Sequence, residues 1–218
     1  MDYLDRLPLL LDPIPDFHAA GLPSGAEPEL WLAKHPGNLL RRSLSAGVRT
    51  LCAPTLCANR FCLPHRDIPG LNRQLVKIAK DAAGTVGIPV GGAVGPSGLF
   101  VPPHGEADFD DIYDGYREQI RSLDEAGADF LLLDGLHSLS DLRAALLAAR
   151  TTGLPVIVLI SVDSDGRTMT GGSLLPALIT LQAMGADAVG LSCAAEPELA
   201  EEFRRARQHA AVPFAVRL

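Results

Sequence analysis

Apolar, β-rich runs alternate with stretches of helical periodicity from one end of the chain to the other. That alternation is the mark of repeated βαβ units and a parallel sheet, and it restricts the fold more than any other feature. The runs that read as strands are Leu7–Asp12, Val48–Ala53, Ile88–Val94, Asp129–Asp134, Pro155–Ser161, Asp187–Cys193 and Pro213–Arg217. Several are continuously apolar, as in Pro155-Val-Ile-Val-Leu-Ile-Ser161, which fits strands covered on both faces. The clearest helix between them carries Phe109, Ile112, Tyr113, Tyr116, Ile120 and Leu123, an apolar stripe at helical spacing. Gly127 follows as a left-handed terminator. Ser140 and Ser173 are placed to cap further helices, and Pro197 suits a first helical turn.

Seven strands and six crossovers fit into 218 residues with no linker or low-complexity segment, so residues 1–218 read as a single domain. A (β/α)8 TIM barrel needs eight strands and about 250 residues. The expected fold is therefore α/β, an incomplete barrel of the (β/α)8 type with the last strand missing. From counting alone, an open doubly wound sheet of seven strands is the rival. An incomplete barrel leaves its first and last strands with unpaired edges, which invite association. The gap is expected to be covered by the N-terminal segment, by a second copy of the chain, or by a partner protein.

The net charge of −7 argues against a duplex nucleic acid partner, because phosphate binding needs a basic face. No apolar run reaches membrane-spanning length, and the acidic start Met1-Asp-Tyr-Leu-Asp-Arg6 is not a secretory signal. Cys52, Cys57, Cys62 and Cys193 are too few for a disulfide scaffold and read as reduced thiols of a cytoplasmic protein.

In βα barrels the loops after the strands form the site face. Here those positions collect Asp12, Thr55, Cys57, Asn59, Arg60, the Gly95-Pro-Ser97 turn, Asp134, Ser161, Asp163 and Cys193. The set is rich in carboxylate and thiol and has no basic cluster, so it suits an amino-acid-like ligand better than a phosphate. Each residue also has a plain structural reading. Asp12 and Asp134 can cap turns, Cys193 can be a small buried thiol, and Asp163 with Arg167 can make a local turn closed by a salt bridge.

Several segments, in order and at matching spacing, resemble the homocysteine S-methyltransferase family over almost the whole chain. Leu9-Leu-Leu-Asp12 is similar to its first strand, and Glu29-Leu-Trp31 with His35-Pro36 to a helix entry. Thr55-Leu-Cys-Ala-Asn-Arg60 resembles its Asn-Thr-Phe-Gly-Ala-Asn loop, and Gly92-Ala-Val-Gly-Pro-Ser-Gly98 its Gly-Ser-Ile-Gly-Pro-Thr-Gly loop. Tyr116-Arg-Glu-Gln119, the run Val162–Gly171 and Gly185-Ala-Asp-Ala-Val-Gly-Leu-Ser-Cys193 complete the set.

The resemblance implies transfer of a methyl group to the thiol of homocysteine, forming methionine, with the thiol held on zinc. It makes Cys193 the first zinc ligand and the catalytic position, and it places Asp12 and Asp134 on the substrate's amino group. Thr55, Asn59 and Ser161 fall at substrate-facing positions. The family's other two zinc ligands are adjacent cysteines, and this sequence has no Cys-Cys pair, leaving Cys57 and Cys62 as possible substitutes. Pro13-Ile-Pro15 stands where the family has a Gly-rich segment, and Asp134-Gly135 where it has Glu-Thr. Two functions stay open: a zinc-dependent thiol methyltransferase, or a non-catalytic or split-enzyme subunit that binds an amino-acid-like ligand or a partner chain.

Overall fold

The computed structural model describes residues 22–35, 39–193 and 199–217. Among the described residues six strands form one sheet: β1 (Leu51–Ala53), β2 (Val90–Val94), β3 (Phe130–Leu133), β4 (Val156–Ser161), β5 (Ala188–Ser192) and β6 (Phe214–Arg217). They lie in sequence order and every neighbouring pair is parallel. The sheet curls into a half-barrel with helices on its outside, the architecture of an incomplete TIM barrel. An open doubly wound sheet is thereby excluded, because such a sheet reverses its strand order at a switch point. The proposed strand Leu7–Asp12, with Asp12, lies outside the described residues, as does Pro197.

The helices are α1 (Pro28–Lys34), α2 (Leu39–Ser45), α3 (Ile68–Ala83), α4 (Phe109–Glu125), α5 (Leu139–Ala149), α6 (Leu174–Ala183) and α7 (Ala200–His209). The stripe read from the sequence forms α4, with Ile112, Tyr116, Ile120 and Leu123 buried and Gly127 at φ +85°. At α5 the cap differs from the sequence expectation. Ser138, not Ser140, holds the N-cap position, and its Oγ accepts the Asp141 N–H at 3.1 Å. Ser138 is extended (φ −143°, ψ 159°), as an N-cap must be, whereas Ser140 already lies inside the helix. Ser173 occupies the N-cap of α6 without a side-chain capping bond.

Strand alternation sorts the core into two rows. Leu51, Val90, Val94, Leu131, Leu133, Val156, Val158, Ile160, Val189 and Leu191 pack against the helices in the main cluster. Cys52, Phe130, Leu132, Ile157, Leu159 and Ala188 form a second cluster, joined by Ala215, on the concave face. Gly91 makes room for the Phe130 ring, since a Cβ there would lie 2.3 Å from the ring edge.

Two helix-to-strand corners share a device. Gly127-Ala-Asp129 and Gly185-Ala-Asp187 each begin with a left-handed glycine. Each ends with an aspartate whose Oδ2 accepts the first N–H of the preceding strand, Val90 at 2.6 Å and Val156 at 2.9 Å. Lys80 adds an ion pair to Asp129 at 2.7 Å. No helix among the described residues is long and apolar enough to cross a membrane.

Candidate functional site

Because all six strands are parallel, the loops that follow them share one rim. The loop after β1 is built by buried polar groups. The Thr55 hydroxyl donates to the Ala93 carbonyl at 2.8 Å, and the Thr55 carbonyl accepts from Gln119 Nε2 at 2.7 Å. Asn59 is fully buried, and its Oδ1 accepts the N–H groups of Phe61 and Cys62 at 3.0 and 2.9 Å. Its Nδ2 has no hydrogen-bond partner among the described residues. Glu29 reaches in from α1 and takes the Cys57 N–H at 3.0 Å, and burial pushes this carboxyl upward in pKa.

That turn brings Cys57 and Cys62 together. The contact between the two thiols raises the Cys57 pKa and lowers that of Cys62, and the Cys62 thiol donates to the Pro96 carbonyl at 3.9 Å. The loop after β2 packs on this turn, with the Gly95 N–H on the Leu56 carbonyl at 2.8 Å. A Cβ at Gly95 would sit 2.6 Å from that same oxygen, so the close approach needs glycine. Ser97 and Tyr116 both donate to Asp141 Oδ1, at 2.8 and 2.7 Å, fastening the loop to α4 and α5. Burial raises the Asp141 pKa, and these two hydroxyls oppose the rise.

After β4, Asp163 Oδ1 accepts the backbone N–H groups of Asp165 and Arg167 at 3.0 and 2.9 Å. The expected salt bridge does not form, because the Arg167 guanidinium turns to the Gly171 carbonyl at 3.1 Å. The turn is closed through the backbone instead.

Asp134 follows β3 on the concave row and is wholly buried. Among the described residues neither of its oxygens has an oriented hydrogen bond. Arg217 Nη1 lies 2.5 Å from Oδ2 as a charge contact, and Arg217 Nε donates to Ser192 Oγ at 3.0 Å. Desolvation raises the Asp134 pKa, and the Arg217 charge offsets part of that rise. Ser161 and Ser192 pair in register at the ends of β4 and β5, and Ser192 pairs with Arg217. The rim thus gathers Asp134, Ser161, Ser192 and Arg217 on one face.

Cys193 comes next in the chain and therefore sits on the other row, packed against the helix-side core. Its N–H donates to the Arg217 carbonyl at 3.1 Å, and desolvation raises its thiol pKa. A zinc centre needs three converging protein donors. Among the described residues no three His, Cys, Asp or Glu side chains are grouped to hold a metal ion. Cys193 with Cys57 or Cys62 does not make such a group, so these residues do not fit zinc.

The sequence reading missed Arg217 and Ser192. The available signal was parity. Both stand two residues beyond small concave-row positions, Ala215 and Gly190, in strands expected to be buried on both faces.

The pattern of the homocysteine S-methyltransferase family matches residues 41–217. Methionine synthases of Mycobacterium tuberculosis (strain ATCC 25618 / H37Rv) and Mycobacterium leprae (strain TN) are each 30% identical over 192 residues, which is 81% of this chain. The chain spans only 16% of the length of those relatives. Crystal structures of the homocysteine methyltransferase MmuM from Escherichia coli superpose with TM-scores of 0.75 (metallated form) and 0.76 (oxidised form). They cover 98% of this chain and 84% and 83% of those chains, at 20% and 21% identity, and so establish the fold. With the family pattern running from the second helix to the last strand, the chain belongs to the homocysteine S-methyltransferase family.

Proposed function

We propose that this chain binds homocysteine, or a closely similar amino-acid thiol, at the rim and serves methyl transfer to its sulfur. The observation that carries the reading is Asp134, a buried concave-row carboxylate with no oriented hydrogen bond, in a chain of this family. A buried polar group without a partner is costly, and an incoming ammonium supplies the missing donors. Asp12, Thr55, Asn59 and Ser161 are the further substrate-facing candidates. Of these, Asn59 Nδ2 is a buried donor with no partner among the described residues. The Thr55 hydroxyl is committed to Ala93.

In the reaction a sulfur–methyl bond forms, the donor–methyl bond breaks, and the thiol proton passes to solvent. A free thiol with pKa about 8.5 is only a few per cent thiolate at pH 7, so thiolate stabilisation governs the rate. Cys193 is the family's metal-ligating and catalytic position. The described donors do not fit zinc. That same observation favours a second reading, a subunit that binds the amino-acid thiol while a partner or a second copy completes the chemistry. Either form is proposed to work in the cytoplasm, where thiols stay reduced.

Isothermal titration with L-homocysteine tests the binding. Methionine formation is then assayed with methylated folate, a methylated corrinoid, S-methylmethionine and betaine as donors. Absence of homocysteine binding at millimolar concentration would refute the reading. Binding without turnover by any donor, together with a monomer-to-dimer shift or partner capture, would favour the subunit reading.

A further inference from the structure

Arg217 is held at both ends. Its backbone carbonyl accepts the Cys193 N–H at 3.1 Å, and its Nε donates to Ser192 Oγ at 3.0 Å. Its guanidinium reaches across the end of the sheet to Asp134 Oδ2 at 2.5 Å. Asp134 is fully buried, while the Arg217 side chain keeps 32% exposure, so the arginine is the half of the pair that faces an arriving ligand. A guanidinium has five N–H donors in a fixed fork. One serves Ser192, and none is aimed at Asp134 within the charge contact, which leaves donors for something else. On the carboxylate, Oδ1 accepts no oriented hydrogen bond among the described residues, and the neighbouring Gly135 N–H acts only to lower the Asp134 pKa.

A positive group with spare donors therefore stands beside a negative group with a spare acceptor. From this arrangement we propose that Arg217 and Asp134 form a clamp for the zwitterionic head of an α-amino acid, Arg217 taking the α-carboxylate and Asp134 the α-ammonium. The inference rests on the reading that the rim binds an amino-acid thiol and adds the group that recognises its carboxylate. The four charges alternate in sign around the contact, so each ligand charge meets its opposite while the existing ion pair stays in place. The protein pair is neutral and the zwitterion is neutral, so binding buries no net charge. A buried carboxylate alone would favour a simple amine over an amino acid, since the amine brings no second charge to desolvate. Arg217 reverses that preference, and bidentate pairing with a carboxylate is the geometry for which arginine differs from lysine.

The test compares L-homocysteine with its decarboxylated analogue 3-mercaptopropylamine, by calorimetry on the full chain, with Arg217→Ala and Arg217→Lys alongside. Wild type is expected to bind the amino acid at least tenfold more tightly than the analogue. Arg217→Ala should weaken L-homocysteine about tenfold to a hundredfold, the scale of a lost charge-assisted pair. The analogue should bind that variant as well as or better than wild type, because Asp134 loses a competing cation. Arg217→Lys should recover only part of the loss. The wild-type ratio of the two ligands needs no variant, so a misfolded Arg217→Ala leaves the test intact.

Equal binding of both ligands by wild type would overturn the clamp, and so would unchanged or tighter L-homocysteine binding by a folded Arg217→Ala. In either case the proposed function stands. If wild type ignores L-homocysteine but binds another α-amino acid from a panel of twenty with the same dependence on Arg217, the clamp stands and the proposed function fails. If no α-amino acid binds, both fail.

Discussion

Replacement of Gly190 by alanine should detach the last strand. Gly190 lies on the concave row of β5 and pairs in register with Ala215 of β6. A Cβ at this position would come 1.8 Å from the Ala215 carbonyl oxygen and 2.6 and 2.9 Å from its carbonyl carbon and nitrogen. All three obstacles are backbone, so no rotamer change relieves them. The strands must part by more than an ångström, which breaks the pairing from Val189–Phe214 to Ser192–Arg217. Forced overpacking of a tight core costs about 1–3 kcal/mol, and the loss of strand pairing places this case at about 3 kcal/mol or above. In a domain of this size each kcal/mol lowers Tm by about 2–4 °C, so the expected drop is about 6–12 °C. Gly92→Ala provides the contrast, because the three atoms nearest its Cβ would all belong to the Leu123 side chain, the closest at 2.8 Å. That side chain can rotate, and the expected drop is smaller. Thermal melts followed by circular dichroism measure both, and hydrogen exchange over residues 213–217 reports the strand directly. A Gly190→Ala protein that melts within 1 °C of wild type with unchanged protection in that segment would refute the argument.

Tyr116→Phe removes one of the two hydroxyl donors to buried Asp141, at 2.7 Å, and should cost about 1.5–3 kcal/mol near neutral pH. Because the folded pKa of Asp141 is raised, its own contribution to stability is fully present below the ordinary carboxylate range and is lost as pH rises through the raised value. Tyr116 opposes that rise, so the variant should lose stability more steeply with pH; a deficit in Tm that is the same at the acid and neutral ends would refute the assignment. For the thiol pair, iodoacetamide should modify exposed Cys62 before Cys57, and Cys57→Ala should slow the Cys62 reaction by removing the hydrogen bond that lowers its pKa. Peptide mass spectrometry gives the order, and faster labelling of Cys57 would contradict it.

What the sequence revealed was local. Periodicity located α4, and apolar runs located all six described strands to within a few residues; burial on both faces dictates the composition of β1 to β5, whereas β6 is only half-buried. The α5 cap was misplaced by two residues since Ser138 and Ser140 are equivalent as local signals. The position of the helix start is settled by Asp141, whose side chain is captured by Ser97 and Tyr116 from distant segments. The Cys57–Cys62 contact depends on the turn that Asn59 closes with its side chain, which spacing alone does not encode. Arg217 was the hardest to see. An arginine at a strand end reads as solvated, and only the curl of the sheet brings it from β6 to the aspartate after β3. The family resemblance supplied Asp134 but not its companion.

The paired Gly-Ala-Asp corners carry a consequence for how such a barrel can change. A shift of one residue between neighbouring strands would exchange their two rows, sending Asp134 toward the helices and Leu133 into the bowl. Asp129 and Asp187 guard against that shift by fastening one strand start to the next. They do so at the rim opposite the ligand-facing loops. Alignment and recognition are thus written in separate places. Loops could be exchanged for those of another barrel without disturbing which side chains line the bowl, whereas one lost aspartate at a corner would scramble a site it never touches.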